Sequence, residues 1–385
     1  MKKPLKIVYV TPALYMAGGV ERVLSLKANY FADHFGYDIT IILTEGKDKP
    51  LFYPLSDKIK VINLNINFEE LWNGSFLHRI FLYLPKQRRF KKLLTKELMR
   101  LRPDITVSLL RREINFITGV EDGSRKIGEL HVNRANYRNF TSHNPVKKIF
   151  EYYWTESLVS KLRQLDRLVV LTEKDREAWA ELDNVVAIPN PLFETNNPIN
   201  AEAEKRVIAV GRYSHEKGYD RLLMAWASAQ NECPDWKLEI FGDGDRTEYE
   251  SLIDEMRIDR KRCILHGRTS NVQVEYAKSS LAVCSSSFEG FGMAILEAMS
   301  CGLPVVSFDC PWGPRSIITD GEDGLLVDNG DVIKLSAALV SLMKNDSLRK
   351  EMSIAAKKNT PWFSIDYIAK MWKALFEAVM KQNQI

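Results

Sequence analysis

The chain has 385 residues, of which 45% are hydrophobic and 27% charged, and its net charge is +4. That length exceeds one ordinary hydrophobic core and predicts two domains, while the composition excludes a disordered or collagenous chain. Five cysteines without a Cys-x-x-Cys pair argue against a disulfide framework and a zinc site, and no stretch reaches the roughly 20 apolar residues that span a bilayer.

In chain order, Met1 to Val10 opens with lysines but offers only a short apolar run that stops at Thr11-Pro12. It is too short for a signal sequence and reads as a first buried strand, so a cytoplasmic protein is expected. A helix follows Gly19, and strand-like runs recur at Ile39 to Leu43, Lys60 to Leu64, Ile105 to Leu109 and Leu168 to Leu171. Such alternation predicts parallel βαβ units. The cluster Ile188-Pro189-Asn190-Pro191 and the polar segment Glu194 to Glu204 read as a linker between domains. The alternation then restarts at Arg206 to Val210, Lys237 to Phe241, Cys263 to Leu265, Leu281 to Cys284 and Val305 to Ser307. Two Rossmann-like α/β domains are the simplest architecture, each binding ligands beyond the carboxyl ends of its strands. The last segment, Ser364 to Gln382, repeats apolar residues at helical spacing, with Ile368, Met371, Trp372, Leu375, Phe376 and Val379 on one face.

Chemistry concentrates in the run Glu289-Gly290-Phe291-Gly292-Met293-Ala294-Ile295-Leu296-Glu297. It follows an apolar strand and enters a helix, so Glu289 falls on the connecting loop. Glycines at 290 and 292 permit positive φ, and the amides at 291 to 293 can face an anion or a sugar hydroxyl at the helix start. Glu297, about two turns further on, can reach another part of the same ligand. Taken singly, Glu289 reads equally as a helix cap and Glu297 as a solvated glutamate. The run as a whole resembles the nucleotide-sugar signature of the family 4 glycosyltransferases, retaining enzymes with the GT-B fold, and the resemblance covers most of the C-terminal half.

The resemblance implies roles for further residues. Glu289 would contact the donor sugar and Glu297 the ribose, with Phe291, Gly292 and Met293 beside the donor. Arg212 and Lys217, in Gly211-Arg212-Tyr213-Ser214-His215-Glu216-Lys217-Gly218, match the family's cations that neutralise the leaving diphosphate. Gly19, in Ala17-Gly18-Gly19, matches a glycine-rich loop near the donor phosphates, His131 a histidine facing the sugar, and Arg268 the loop of the nucleobase contact. Asp309-Cys310-Pro311-Trp312-Gly313-Pro314 resembles the Cys-Pro-x-Gly-Pro loop of enzymes using UDP-galactose or UDP-N-acetylgalactosamine, with Trp312 replacing a small residue. It favours UDP over GDP donors. Asp243 and Asp245 spell a metal-binding pair of another glycosyltransferase fold, but they fall on a loop usually rich in glycine and aspartate in family 4, so neither a metal nor a cofactor is expected. Thr247 stands where a dinucleotide fingerprint needs its third glycine.

The resemblance also implies a GT-B chain of two facing Rossmann-like domains: residues 1–190 with 365–385 for the acceptor, and 191–364 for the nucleotide sugar, the last helix crossing back to the first domain. Between Phe76 and Pro103 nine basic residues face the single acid Glu97, interleaved with Phe76, Phe81, Tyr83 and Phe90. This segment suits the anionic inner leaflet of a cell membrane or, equally, a solvated basic helix packed in its domain; nucleic acid is the weaker partner, since no nucleic-acid motif accompanies it. The expectation is therefore a retaining transferase moving a hexose from a UDP-sugar to a glycan or lipid-linked glycan of the cell surface. The alternatives are a UDP-sugar epimerase of the same fold and a catalytically silent sugar-nucleotide scaffold.

Overall fold

The computed structural model describes residues 3–73, 76–137, 145–192 and 204–381, the side chains of 72–80 and 145–152 excepted. The linker residues 194–203 and the side chains of Phe76 and Arg79 therefore lie outside the described residues. The chain divides into two units, Met1–Pro191 with Ile365–Ile385, and Leu192–Ser364.

In the first unit, β1 (Lys6–Thr11), β2 (Asp38–Leu43), β3 (Lys60–Asn63), β4 (Ile105–Ser108), β5 (Arg125–Glu129), β6 (Arg167–Val170) and β7 (Val185–Ala187) form one sheet in the order β3-β2-β1-β4-β5-β6-β7. Every neighbouring pair is parallel, with Ile7 opposite both Ile39 and Ile105. Alternate residues feed two cores: Val8, Val10 and Ile42 enter one, Ile7, Tyr9 and Ile41 the other. A sheet covered on both faces needs apolar residues at nearly every strand position, which is why these strands read as continuous runs.

Helix Ile365–Lys381 buries Ile368, Trp372, Phe376 and Val379 in the second of those cores. Phe376 meets Phe31 of helix Gly19–His34 edge to face, with centroids 5.8 Å apart. The amphipathic stripe of the final segment thus finds its partner in the N-terminal unit.

The second unit contains β8 (Arg206–Val210), β9 (Lys237–Phe241), β10 (Cys263–His266), β11 (Leu281–Cys284), β12 (Val305–Asp309) and β13 (Gly324–Asp328), ordered β10-β9-β8-β11-β12-β13. All pairings are again parallel. The chain runs outward from β8 to β10, then returns to lay β11 on the other flank of β8. This reversal creates a crevice between the carboxyl ends of β8 and β11, the place where such sheets bind ligands.

Three strands are missing from the alternation read in the sequence: the central β5, whose Arg125, Lys126 and Glu129 interrupt an apolar run, and the edge strands β7 and β13. β7 is a three-residue edge strand whose residues are only partly buried, and β13 is an edge strand that opens on a glycine and closes on an aspartate. Short edge strands lack the apolar signature of their buried neighbours.

Candidate functional site

Two loops meet at the reversal point of the C-terminal sheet. The first leaves β8, passes Gly211 and Arg212, makes a tight turn at His215–Lys217 and enters helix Tyr219–Glu232 through Gly218. Gly218 has φ +60°, and a Cβ there would stand 2.3 Å from the Ser285 carbonyl oxygen. Glycine thus lets this loop touch the second one, which follows β11. Ser285 Oγ donates to the Lys217 carbonyl at 2.8 Å and the Ser287 amide to the Glu216 carbonyl at 2.9 Å.

These contacts bring Lys217 and Glu289 together. Lys217 Nζ donates to Glu289 Oε1 at 2.6 Å, and Ser286 Oγ donates to the same oxygen at 2.7 Å. The two charged side chains are only 20% and 13% exposed. Burial works against the Lys217 ammonium, but Glu289, helped by Cys284 and Glu216, outweighs it and raises the lysine above its ordinary range. Glu289 Oε2 accepts no hydrogen bond among the described residues. The carboxylate is therefore anchored by one oxygen and open at the other.

The turn into helix Met293–Ser300 completes this corner. Its N-cap, Gly292, has φ +101° and no side chain caps the helix. The amides of residues 291–294 find no acceptor among the described residues, so they converge with the helix dipole on a site suited to an anion or hydroxyl. Gly290 is not among the glycines with positive φ; the left-handed position falls at Gly292 alone in this turn, because the chain must reverse only where the helix begins. Phe291 is buried edge to face against Phe363, with centroids 5.9 Å apart. The helix starts at Met293, so Glu297 stands about one turn into it and not two; it is 8% exposed.

Arg212 behaves differently. Its side chain is 75% exposed and pairs with Glu216 at 3.1 Å, and no contact joins it to Lys217 or Glu289 among the described residues. An exposed pair of this kind contributes at most about 1 kcal/mol, so an incoming anion can take the guanidinium over. Arg268 is exposed on the loop after β10, at the far edge of the sheet from β11.

The loop after β12 backs the Glu289 turn. A Cβ on Gly313 would stand 2.8 Å from Glu289 Cβ and from the Phe291 carbonyl oxygen, so the two loops are in direct contact. Its neighbour Trp312 has φ +84°, a left-handed backbone that a bulky residue rarely adopts. Ser316 Oγ, at 3.1 Å from the Trp312 carbonyl, and the Arg315–Asp309 ion pair brace the turn.

Asp245 accepts from the Thr247 amide and hydroxyl at 3.0 and 2.7 Å, and Asp243 from the Gly244 amide at 3.0 Å, so both carboxylates serve their own turn. Under the neighbouring loop lies a network that sequence reasoning missed. Arg206, 3% exposed, reaches Glu239 at 3.0 Å and Glu275 at 3.2 Å, and Glu239 also meets His266 Nε2 at 3.0 Å. His266 stacks on Phe241 with centroids 4.2 Å apart.

Gly19 and His131 belong to the N-terminal unit. Gly18 and Gly19 follow β1 and open helix Gly19–His34 without a side-chain cap; a Cβ on Gly19 would meet nothing within 4 Å. His131 lies two residues past β5, its side chain 6% exposed and its Nε2 3.0 Å from Glu129 Oε1.

Helix Phe76–Leu101 carries the basic segment. Phe90, Leu94 and Leu98 enter the core, while Arg88, Arg89, Lys91, Lys92 and Lys96 are exposed and unpaired among the described residues. Lys86 departs from that pattern: it donates to the carbonyls of Ile66 and Asn67 at 2.7 and 2.8 Å and to Glu70, because the chain before the helix folds back over it. Phe81 and Leu84 are 77% and 53% exposed. No helix among the described residues is long and apolar enough to cross a membrane.

Comparison with known proteins agrees with this arrangement. Residues 193–359 match the family described as Glycosyl transferases group 1. The chain is 27% identical over 368 residues to an uncharacterized glycosyltransferase of Haemophilus influenzae, covering 93% of this chain and 96% of the relative. It is also 27% identical to the Campylobacter jejuni GalNAc-alpha-(1->4)-GalNAc-alpha-(1->3)-diNAcBac-PP-undecaprenol alpha-1,4-N-acetyl-D-galactosaminyltransferase, over 97% and 99% of the two chains. A solved structure of S. aureus TarM with fondaparinux, alpha-GlcNAc-glycerol and UDP shares the fold, with TM-score 0.74, 18% identity and coverage of 97% and 99%.

Proposed function

This chain is a glycosyltransferase of group 1 with the GT-B fold, and on that premise we propose that it moves a hexose, of galactose, N-acetylgalactosamine or glucose type, from a UDP-sugar to a glycan or lipid-linked glycan, with retention. One observation carries the donor reading: Glu289 is anchored through Oε1 by Lys217 and Ser286, which leaves Oε2 and the amides of residues 291–294 for a ligand.

In this reading Oε2 accepts from a sugar hydroxyl and the amides orient the ring or its phosphate. Glu297 holds the ribose, Arg268 lies by the base, and Gly19 and His131 serve the donor from the N-terminal unit. As the bond between the anomeric carbon and the diphosphate oxygen breaks, negative charge grows on UDP. Lys217, already charged and desolvated, and Arg212, free to leave Glu216, stabilise it. The acceptor hydroxyl attacks the same face, and its proton passes to the departing phosphate oxygen. No step requires a metal or a cofactor.

The N-terminal unit would take the acceptor. The printed name of the Campylobacter relative describes a polyprenol-linked glycan, which supports an amphiphilic acceptor here. Exposed Phe81 and Leu84 on the same helix as five cations unpaired among the described residues support peripheral contact with the anionic cytoplasmic leaflet, each cation near the surface contributing about 1 kcal/mol.

The test is to incubate the protein with UDP- and GDP-sugars without acceptor, following thermal protection and slow release of the nucleoside diphosphate. Protection by a UDP-hexose with slow UDP release is expected. Protection by none of them would remove the donor site.

A further inference from the structure

The N-terminal unit buries a charged cluster that the chemistry above leaves unused. Lys27, on helix Gly19–His34, is 1% exposed, and its ammonium is bonded to Oε1 of Glu129, the last residue of β5, itself 1% exposed. The ammonium also lies 4.2 Å from the centre of the Trp372 ring. The same Oε1 is 3.0 Å from His131 Nε2, off the line of a hydrogen bond. The other carboxylate oxygen and the nearby Tyr9 hydroxyl have no hydrogen-bond partner among the described residues.

Packing does not require this pair. Removing two ions from water costs several kcal/mol each, and replacing a buried pair by apolar side chains of similar volume is often neutral or stabilising. The surroundings would accept such a replacement, since Tyr9, Ile127 and Trp372 belong to one apolar core. What the pair supplies is a carboxylate kept ionised at the carboxyl end of a strand, two residues before a histidine. Burial alone would push Glu129 up, yet Lys27 and His131 hold it down, to about 2.

We propose that Lys27 and Glu129 are positioning residues for His131, a role that rests on the donor-site reading above. The carboxylate, 3.0 Å from Nε2, is the charged group that sets the orientation of the ring. Nδ1, which has no partner among the described residues, is then left for a hydroxyl of the bound hexose. Lys27 keeps the carboxylate charged and fixed, and it ties His131 to the helix that begins at Gly19.

The test uses Lys27→Met/Glu129→Leu, His131→Ala and their combination, together with Glu129→Asp, which keeps the charge but draws it back by one methylene. The readouts are thermal unfolding and the kcat and KM of acceptor-independent UDP release from UDP-glucose, UDP-galactose and their N-acetyl forms. The paired variant is expected to unfold at the wild-type temperature or above, to lose about 10- to 100-fold in kcat as removal of a histidine's outer partner does elsewhere, and to leave KM nearly unchanged. Combined with His131→Ala it should lose nothing more, because both changes remove one function. Losses that multiply, or a His131→Ala variant with wild-type kcat, would overturn the proposal. If the paired variant does not fold, Glu129→Asp decides alone: a lowered kcat at wild-type stability supports the role and an unchanged kcat overturns it. A wild type that releases UDP from none of these sugars would overturn the donor reading and this role together, whereas an active wild type with an equally active paired variant would overturn this role only.

Discussion

Glu289→Gln separates the two jobs assigned to this side chain. The glutamine keeps the shape but not the charge, so Lys217, 20% exposed, loses its counter-ion while remaining largely desolvated. Breaking a fully buried pair costs about 3–5 kcal/mol; the residual solvent access here reduces that to about 2–3 kcal/mol. For a unit the size of Leu192–Ser364, each kcal/mol moves Tm by about 2–4 °C, so its unfolding should fall by about 4–12 °C in scanning calorimetry. The unpaired ammonium should then welcome the diphosphate: UDP restores more of the lost Tm in the variant than it adds to the wild type, and its Kd is unchanged or tighter. Turnover of the UDP-sugar falls at least about 100-fold, because the oxygen that receives the sugar hydroxyl has lost its charge. An unaltered Tm together with turnover within a few-fold of wild type would refute both the anchored-carboxylate geometry and its catalytic use.

The paired cations give a second test: Lys217→Ala and Arg212→Ala should lower kcat far more than they raise KM for the UDP-sugar, and losses confined to KM would contradict a leaving-group role. Trp312→Gly should be more stable than Trp312→Ala by about 1 kcal/mol, since both remove the indole but only alanine keeps the strained left-handed backbone; equal urea midpoints would argue against that backbone in solution. The folded pKa of Glu129 lies below its unfolded value of 4.5, so its contribution is present above pH 4.5 and is lost as the pH falls towards about 2. Acid titration of urea stability should show that limb in the wild type and not in Lys27→Met/Glu129→Leu.

Sequence carried the alternation of strands and helices because both sheets are buried on both faces, which forces apolar runs at β1, β2, β4, β8 and β11. It missed β7 and β13 at two of the four edges, where half-burial weakens the signature, and the central β5, where Lys126 and Glu129 interrupt the apolar run. The Glu289 run and Lys217 were legible as local motifs, but not that they touch, since their contact spans 72 positions and depends on two strands lying side by side. Ser286 could not be told from Ser285 and Ser287, and only the fold assigns it to Glu289. Nothing in the sequence marks Lys27, Glu129, Arg206 and Glu239 as buried ion pairs; each meets its opposite charge on another element, which no window of sequence contains. Lys86 errs the other way, a member of a basic run that the structure spends on backbone carbonyls.

Glycine placement shows which backbone contacts hold the site and which space is left for ligands. Gly218 is held against the Ser285 carbonyl with a left-handed backbone, whereas Gly19 has a helical start and nothing within 4 Å of its missing Cβ. Alanine at 218 must adopt the left-handed region at a cost of about 1 kcal/mol and push the Ser285 loop away, which moves Ser286 and Glu289 with it. Alanine at 19 should leave stability unchanged or raise it by up to about 1 kcal/mol, as glycine is the poorer helix former. If Gly19 is open because a ligand approaches it, Gly19→Ala must raise the KM for the UDP-sugar or the acceptor while the protein unfolds no earlier than wild type. Gly218→Ala must lower stability and kcat together. A Gly19→Ala enzyme with wild-type constants for both substrates would return that glycine to the role of a plain helix start and confine the donor contacts to the C-terminal unit.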